Sequence, residues 1–281
     1  MSPSRSVRPG FTMPELLVVI GIIGVLIAFL FPALSSVLRS GRMTSSLNNL
    51  RQVSTMMGLY SGDNRETVLP SQFDYSGPQF TFKGKVRSEV PVTGDQHQGT
   101  WADILWTTSD LGADVPDAAY RYDSPDADFY DTNPDWDANP FRSTQRNTRA
   151  VDTGTDPLPY GTGAMEVGEP GYIAANDFFN SRPDASADPA GLGTWYATGQ
   201  IKAPTRSMYL VDSFAGEVID PEDPAAWDVT GGTAQVDFRH NELALMLFLD
   251  GHTQQEGIWT DQVNLESRGI RLRNLTTLGG P

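Results

Sequence analysis

The feature that most constrains this chain is an uninterrupted apolar run near its N terminus. Leu16 to Leu34 are nineteen residues without one charged side chain. A helix of that length spans about 28 Å, which matches the roughly 30 Å hydrocarbon core of a bilayer. A cleaved secretory signal has a shorter apolar stretch followed by small residues, whereas bulky residues and a proline occupy Phe29 to Pro32. The run therefore predicts a retained membrane helix.

Charges on both sides of the run bear on its orientation. Residues 1–10 contain two arginines and no acid, which favours a cytoplasmic N terminus. Arg39 and Arg42 balance them on the far side, so the flanking charges alone do not decide the orientation. Glu15 directly precedes the run, and a carboxylate drawn into lipid costs free energy. It therefore calls for an interfacial position or a cationic partner.

The residues around Glu15 form a pattern with a known counterpart. Positions 10–20 read GFTMPELLVVI, which resembles the processing signal of type IV prepilins. In that family a prepilin peptidase cleaves after the glycine and methylates the new N-terminal phenylalanine. The resemblance implies cleavage after Gly10 and methylation of Phe11. It also implies that Glu15 pairs with the terminal amine of a neighbouring subunit during assembly.

Pro32 fits the pattern of the same family, whereas Pro14 departs from it. Pro32 matches the proline that commonly kinks the family's helix, where it removes one backbone hydrogen bond. Met13-Pro14 departs from the two aliphatic residues that are usual there. A proline is tolerated in a first helical turn because its missing N–H would have no helical partner. The departure is therefore compatible with processing.

Beyond the membrane the helix is predicted to continue. Ser35 to Tyr60 carries apolar residues near helical spacing, at Leu47, Leu50, Val53, Met57 and Tyr60. This stripe is expected to pack against the protein's own sheet, and Gly62 to Asn64 supplies a stop signal. The chain then divides into a leader at 1–10, a transmembrane and assembly helix at 11–34, an amphipathic half at 35–62, and a head at 63–281.

The head is acidic and has no cysteine. The chain has a formal net charge of −15, which disfavours a nucleic-acid partner. The absence of cysteine excludes disulfides, thiolate nucleophiles and cysteine-ligated zinc. The prepilin resemblance implies an α+β fold in which the long N-terminal helix packs on an antiparallel β-sheet head with long inserted loops.

Residues 109–160 are unlike the rest of the head. Nine aspartates lie between Asp110 and Asp137 and are interspersed with prolines, which predicts a surface loop without core. Acidic oxygens are also calcium ligands, and two pairs have alternate spacing, at Asp126, Asp128, Asp135 and Asp137. Neither pair continues into a twelve-residue calcium loop, so a solvated loop and a calcium site both stay open.

The C-terminal part regains a regular pattern between residues 207 and 258. Ser207–Ser213 and Leu243–Leu249 read as buried strands. Asp250-Gly251 follows the second strand directly and predicts a two-residue hairpin. His240, nine further residues and then Asp250-Gly251 match the H-X9-DG motif of prepilin-type proteins of the DUF1559 class.

Two interpretations of these polar residues remain. Two imidazoles and two carboxylates are adequate ligands for zinc or manganese, and this set would be Asp212, His240, Asp250 and His252. Alternatively, Asp250 and Gly251 shape a turn while His240 donates a hydrogen bond across the sheet. No metalloprotease or zinc-finger spacing accompanies them, which favours the structural interpretation.

The function follows from the N-terminal resemblance. No nucleophile elbow, phosphate-binding loop or dinucleotide fingerprint is present, so we expect no enzyme and no cofactor. The chain is expected to be a pilin or type II secretion pseudopilin in the inner membrane, crossing it once, with a cytoplasmic N terminus and a periplasmic head. Its partners would be prepilin peptidase, other pilin subunits and the inner-membrane assembly machinery. The alternatives are a membrane-anchored metal-binding or hydrolytic head, and a minor pilin for initiation or surface adhesion.

Overall fold

The structure is a computed structural model that describes most of the chain. The described residues are 13–74, 98–108, 141, 143, 145, 172–181, 194–214, 216 and 218–273. The chain divides into two compact units, Met1–Arg42 and Met43–Pro281. Helix α1, Met13–Asp63, contributes to both.

Of the first unit, the structure describes the N-terminal part of α1, which begins at Met13. Between Leu16 and Leu38, the large apolar side chains that the structure describes are exposed, and none of the described residues of this unit covers them. Within the part of the chain that the structure describes, α1 is the one helix long and apolar enough to cross a membrane. A helix that is apolar on all sides belongs in lipid or against other helices. This segment therefore fits a membrane anchor, in agreement with the prediction.

The second unit contains the rest of α1, whose apolar stripe is buried as predicted. Leu50, Val53 and Tyr60 are buried in one core, and Leu47 and Met57 are partly buried against it. The helix ends at Asp63, within the predicted stop signal.

Within the described residues, seven strands, two further α-helices and three short 3-10 helices make up the remaining regular structure. The strands are β1 (Gln72–Asp74), β2 (Gln98–Thr100), β3 (Tyr172–Asn176), β4 (Met208–Ser213), β5 (Val218–Ile219), β6 (Leu243–Phe248) and β7 (Thr253–Gly257). The helices are α2 (Trp101–Thr108) and α3 (Gln262–Ser267). Strands β1 and β2 form a small sheet, and the other five form a sheet in the order β5-β3-β4-β6-β7. The long N-terminal helix and this sheet make an α+β fold consistent with a pilin-like protein, and the predicted strands β4 and β6 are confirmed.

The five-stranded sheet is mixed, whereas the prediction was antiparallel. The pairs β3–β4, β4–β6 and β6–β7 are antiparallel, but β3–β5 is parallel. After β4 the chain reverses, so β5 runs against β4 and therefore in the direction of β3. Because β6 occupies the other edge of β4, β5 pairs with the outer edge of β3.

Alternating side chains of the sheet enter two different cores, as the period of two in a strand requires. In β6, Leu245 and Leu247 join the core that contains the buried stripe of α1. Ala244, Met246 and Phe248 join a second core on the opposite face, together with two buried tryptophans.

One part of the acidic segment 109–160 lies in the core, which corrects the prediction of a surface loop there. Phe141 is buried, and its ring meets that of Trp101 edge to face with centroids 5.7 Å apart. Ser143 is buried as well. A single aromatic side chain is enough to anchor a segment that is poor in aliphatic residues. Apart from Gln145, the rest of this segment, including the aspartates of the calcium hypothesis, lies outside the described residues.

Candidate functional site

The predicted processing and assembly residues lie at the start of α1. Gly10 and Phe11 are outside the described residues. Glu15 is exposed in the first turn of α1, where the positive end of the helix dipole favours a carboxylate. The helix continues through position 32, and the kink expected at Pro32 stays a prediction.

His240, the histidine of the H-X9-DG motif, lies directly before a turn that leads into β6. Asn241 and Glu242 have positive φ angles of 61° and 65°, and the His240 N–H donates to the Leu243 carbonyl at 3.2 Å. Two consecutive positive φ angles between these hydrogen-bonded residues match a two-residue type I′ turn. The sequence analysis missed this hairpin, although an asparagine at the first central position is a typical signal for it.

A buried group of charges lies beside this turn. Arg239 Nε is 3.0 Å from Asp237 Oδ2 and 3.9 Å from Asp212 Oδ1. The Arg239 guanidinium also donates to the Ser213 carbonyl. Asp212 Oδ2 accepts the Leu245 N–H at 2.8 Å. The buried Asp212 carboxyl therefore has both a cation and a backbone donor, as buried charges require.

His240 connects this charged group to α1. Its Nε2 is 3.4 Å from Asp212 Oδ2 and 3.3 Å from Ser143 Oγ. Ser143 Oγ in turn lies 3.2 Å from Ser46 Oγ on α1. Among the described atoms, His240 Nδ1 has no hydrogen-bond partner. The neutral ring is therefore best satisfied with its proton on Nε2, which faces two acceptors.

Burial moves the two facing titratable groups in opposite directions. Desolvation raises the pKa of Asp212 to about 6, against the opposing effects of Arg239 and the Leu245 N–H. Desolvation, aided by Arg239, lowers the pKa of His240 to about 4, while Asp237 opposes the shift. At neutral pH the pair therefore consists of an ionised carboxylate and an uncharged imidazole.

The second half of the motif forms the turn between β6 and β7. The loop has three residues, Leu249–Gly251, so the prediction of a two-residue hairpin loop is wrong. Phe248 N–H donates to the His252 carbonyl at 3.0 Å, and Gly251 N–H donates to the Phe248 carbonyl at 2.9 Å. Gly251 has a φ of 90°, so the glycine supplies the left-handed residue that closes a three-residue loop.

The side chains of this turn make a second, more exposed pair. His252 Nδ1 lies 2.5 Å from Asp250 Oδ1, and the imidazole stacks on the Phe248 ring with centroids 4.3 Å apart. The Asp250 carboxylate also accepts the His252 N–H at 3.2 Å. The turn therefore uses Asp250 locally, as the structural interpretation of the motif expects.

The four residues considered as one metal-ligand set lie as two separate pairs. Asp212 and His240 lie beside the start of β6, whereas Asp250 and His252 follow its end. Nowhere in the described ranges do three His, Asp or Glu side chains come together as a metal site. The reason is geometric, since the length of β6 separates the two pairs.

Comparison with known proteins concerns the N-terminal segment. A family model described as the prokaryotic N-terminal methylation motif matches residues 5–31. Neither a curated protein nor a solved structure matches the chain. The matched residues include Gly10, Phe11 and Glu15 and continue into the exposed apolar part of α1. The motif indicates a prepilin-type substrate, and with the apolar helix that follows it this signal supports a type IV pilin-like protein.

Proposed function

We propose that this chain is a non-catalytic structural subunit of a type II secretion pseudopilus or a type IV pilus-like filament. One observation carries the proposal: the methylation motif at residues 5–31 runs directly into a helix whose apolar side chains are exposed in the isolated subunit. Such a surface becomes stable in a membrane and, after extraction, against the equivalent helices of other subunits. A single segment can thus serve as an anchor first and as an assembly surface later.

Processing comes first in this proposal. Prepilin peptidase removes residues 1–10 by cleaving after Gly10 and methylates the amine of Phe11. Since the flanking charges balance, the orientation follows from the prepilin-type leader: with residues 1–10 on the cytoplasmic side, the chain crosses the inner membrane once and residues 63–281 lie outside the cytoplasm. The acidic character of the chain agrees with a head that does not bind nucleic acid.

Assembly then depends on Glu15. Glu15 lies in the first turn of α1 and follows the proposed new terminus, Phe11, by four residues. In a surrounding of low dielectric constant, a carboxylate is far less costly when a cationic amine reaches it. The terminal amine of a neighbouring subunit is such a cation, and Pro32 would adjust the helix for packing.

Mass spectrometry of the mature N terminus tests the proposal. Protein purified from its native membrane should begin at Phe11 and carry one additional methyl group. A Gly10→Val variant, in which a β-branched side chain occupies the cleavage position, should retain the leader. A mature protein that begins downstream of Leu34 would lack the anchor and would rule out the filament subunit.

A further inference from the structure

We propose that the segment from His240 to Gly251 is a two-point clasp that holds α1 on the five-stranded sheet. The first point is the hydrogen-bonded series His240–Ser143–Ser46. The second is the contact of Gly251 with Ser54. Both points lie within the unit Met43–Pro281. The clasp gives the two halves of the H-X9-DG pattern one shared structural task, which goes beyond the filament proposal.

The first point is polar and directional. Ser46, Ser143 and His240 are all buried, with exposures of 1 %, 2 % and 3 %. Their bonds of 3.2 Å and 3.3 Å join α1, the segment around residue 143 and the residue before the turn into β6. Breaking one bond leaves a buried polar atom without its partner, which is more costly than losing an exposed bond. The series therefore fixes the position of Ser46, and with it α1, relative to the sheet.

The second point is steric. A Cβ atom at Gly251 would lie 2.5 Å from Ser54 Oγ, which is closer than real Cβ atoms approach other heavy atoms. With the Ser54 side chain in this position, the turn lies against α1 because residue 251 has no side chain. Its φ of 90° is a second reason for glycine at this position.

The arrangement along α1 explains why two points are useful. Ser46 and Ser54 are eight residues apart, which is about 12 Å along a helix. Between them Leu50 and Val53 lie in the same buried core as Leu245 of β6. Apolar contacts are non-directional and restrain sliding and rotation of a helix weakly. A directional contact at one end and a close steric contact at the other restrain both motions.

The spacing of the pattern follows from this geometry. The nine residues between His240 and Asp250 contain the type I′ turn, the whole of β6 and the first residue of the next turn. Their number is therefore set by the length of strand that separates the two points. The clasp assigns a positioning role to His240 and Gly251 without any metal.

Amide hydrogen exchange of the full chain in detergent micelles tests the clasp. Ser143→Ala should raise exchange rates in residues 43–50, and Gly251→Ala should raise them in residues 51–60. We expect about a tenfold increase in each case, the effect of losing roughly 1.4 kcal/mol of local stability. The double variant Gly251→Ala/Ser54→Ala removes the clashing hydroxyl and should recover most of the protection in residues 51–60.

Gly232→Ala is the matched control. Gly232 also has a positive φ, of 76°, but a Cβ there meets no atom within 4 Å. It therefore reports the cost of the backbone conformation alone and should leave the exchange of α1 unchanged. Wild-type exchange of α1 in both single variants, no recovery in the double variant, or an equal increase in β3 and β4 would each overturn the clasp. The measurement needs neither processing nor assembly, so this proposal and the filament proposal fail separately.

Discussion

Asp212 and His240 face each other in the interior, with Oδ2 of the carboxyl 3.4 Å from Nε2 of the imidazole. Burial favours the uncharged form of both groups, so the pKa of Asp212 rises to about 6 and that of His240 falls to about 4. Arg239 lies 3.9 Å from Asp212 Oδ1, and Asp237 is paired in turn with Arg239. The two shifts have opposite consequences for stability.

The first prediction concerns the pH dependence of the free energy of unfolding. The folded pKa of Asp212 exceeds its ordinary value of 3.8, so its contribution is fully present below 3.8 and is lost as the pH rises through about 6. The folded pKa of His240 lies below its ordinary value of 6.5, so its contribution is present above 6.5 and is lost as the pH falls through about 4. Between about pH 4 and 6.5, the two groups therefore change the free energy of unfolding in opposite directions.

In the wild type the two pH dependences of the free energy of unfolding offset each other, so single variants should show each of them separately. Relative to the wild type, His240→Gln should gain stability on acidification from pH 6.5 to 4, and Asp212→Asn should lose it. Shifts of this size correspond to changes on the order of 2 kcal/mol. Urea unfolding of the full chain in detergent at several pH values measures them. Glu266→Gln, at an exposed position, is the control, and slopes of the same sign in both variants would contradict the assignment.

The second prediction concerns Glu15 and assembly. Glu15→Ala should still insert into the membrane, because it only removes a charge beside an apolar segment. It should not enter filaments, because the carboxylate that would receive a neighbour's terminal amine is gone. Fractionation of membranes and of sheared filaments measures both properties. Glu222→Ala removes an exposed carboxylate paired with Arg273 and should assemble normally. Filaments of Glu15→Ala at the wild-type level would refute the role.

The third prediction concerns the type I′ turn before β6. Glu242 has a φ of 65°, a conformation that costs an ordinary residue about 1 kcal/mol and glycine almost nothing. Glu242→Gly creates the preferred Asn-Gly pair and should raise stability by about 0.5–1 kcal/mol. Thermal unfolding measures the change. Gln255→Gly, at an exposed position inside β7, should lower the melting temperature instead, since glycine weakens a strand. A melting temperature of Glu242→Gly below that of the wild type would be inconsistent with the turn.

The fourth prediction concerns the anchored part of the acidic segment. Phe141 is buried against Trp101, so Phe141→Ala should leave a cavity and cost about 3–5 kcal/mol. Phe141→Leu keeps most of the apolar volume and should cost clearly less. Urea unfolding distinguishes the two variants. If Phe141→Ala is as stable as the wild type, this residue does not belong to the core.

The sequence alone was sufficient for features that depend on neighbouring residues. The exposed apolar half of α1, its buried stripe at Leu50 and Val53, and the buried strands β4 and β6 were all predicted, because each is encoded in local hydrophobic periodicity. The methylation signal is equally local, and the family match at residues 5–31 agrees with it. Turn geometry is local too, but Asp250-Gly251 also fits a three-residue loop, which is the loop that the structure has.

Only the tertiary structure decided which polar groups meet. Ser143 is 97 positions from both Ser46 and His240, yet it bonds to both. No period or spacing in the sequence encodes that meeting, because it depends on how the sheet, α1 and the segment around residue 143 pack together. The length of β6 separates Asp250 from Asp212, and the same packing places Phe141 in the core. Hydrophobic pattern specifies which faces are buried, whereas the partners of a buried polar group are set by the three-dimensional arrangement that burial produces.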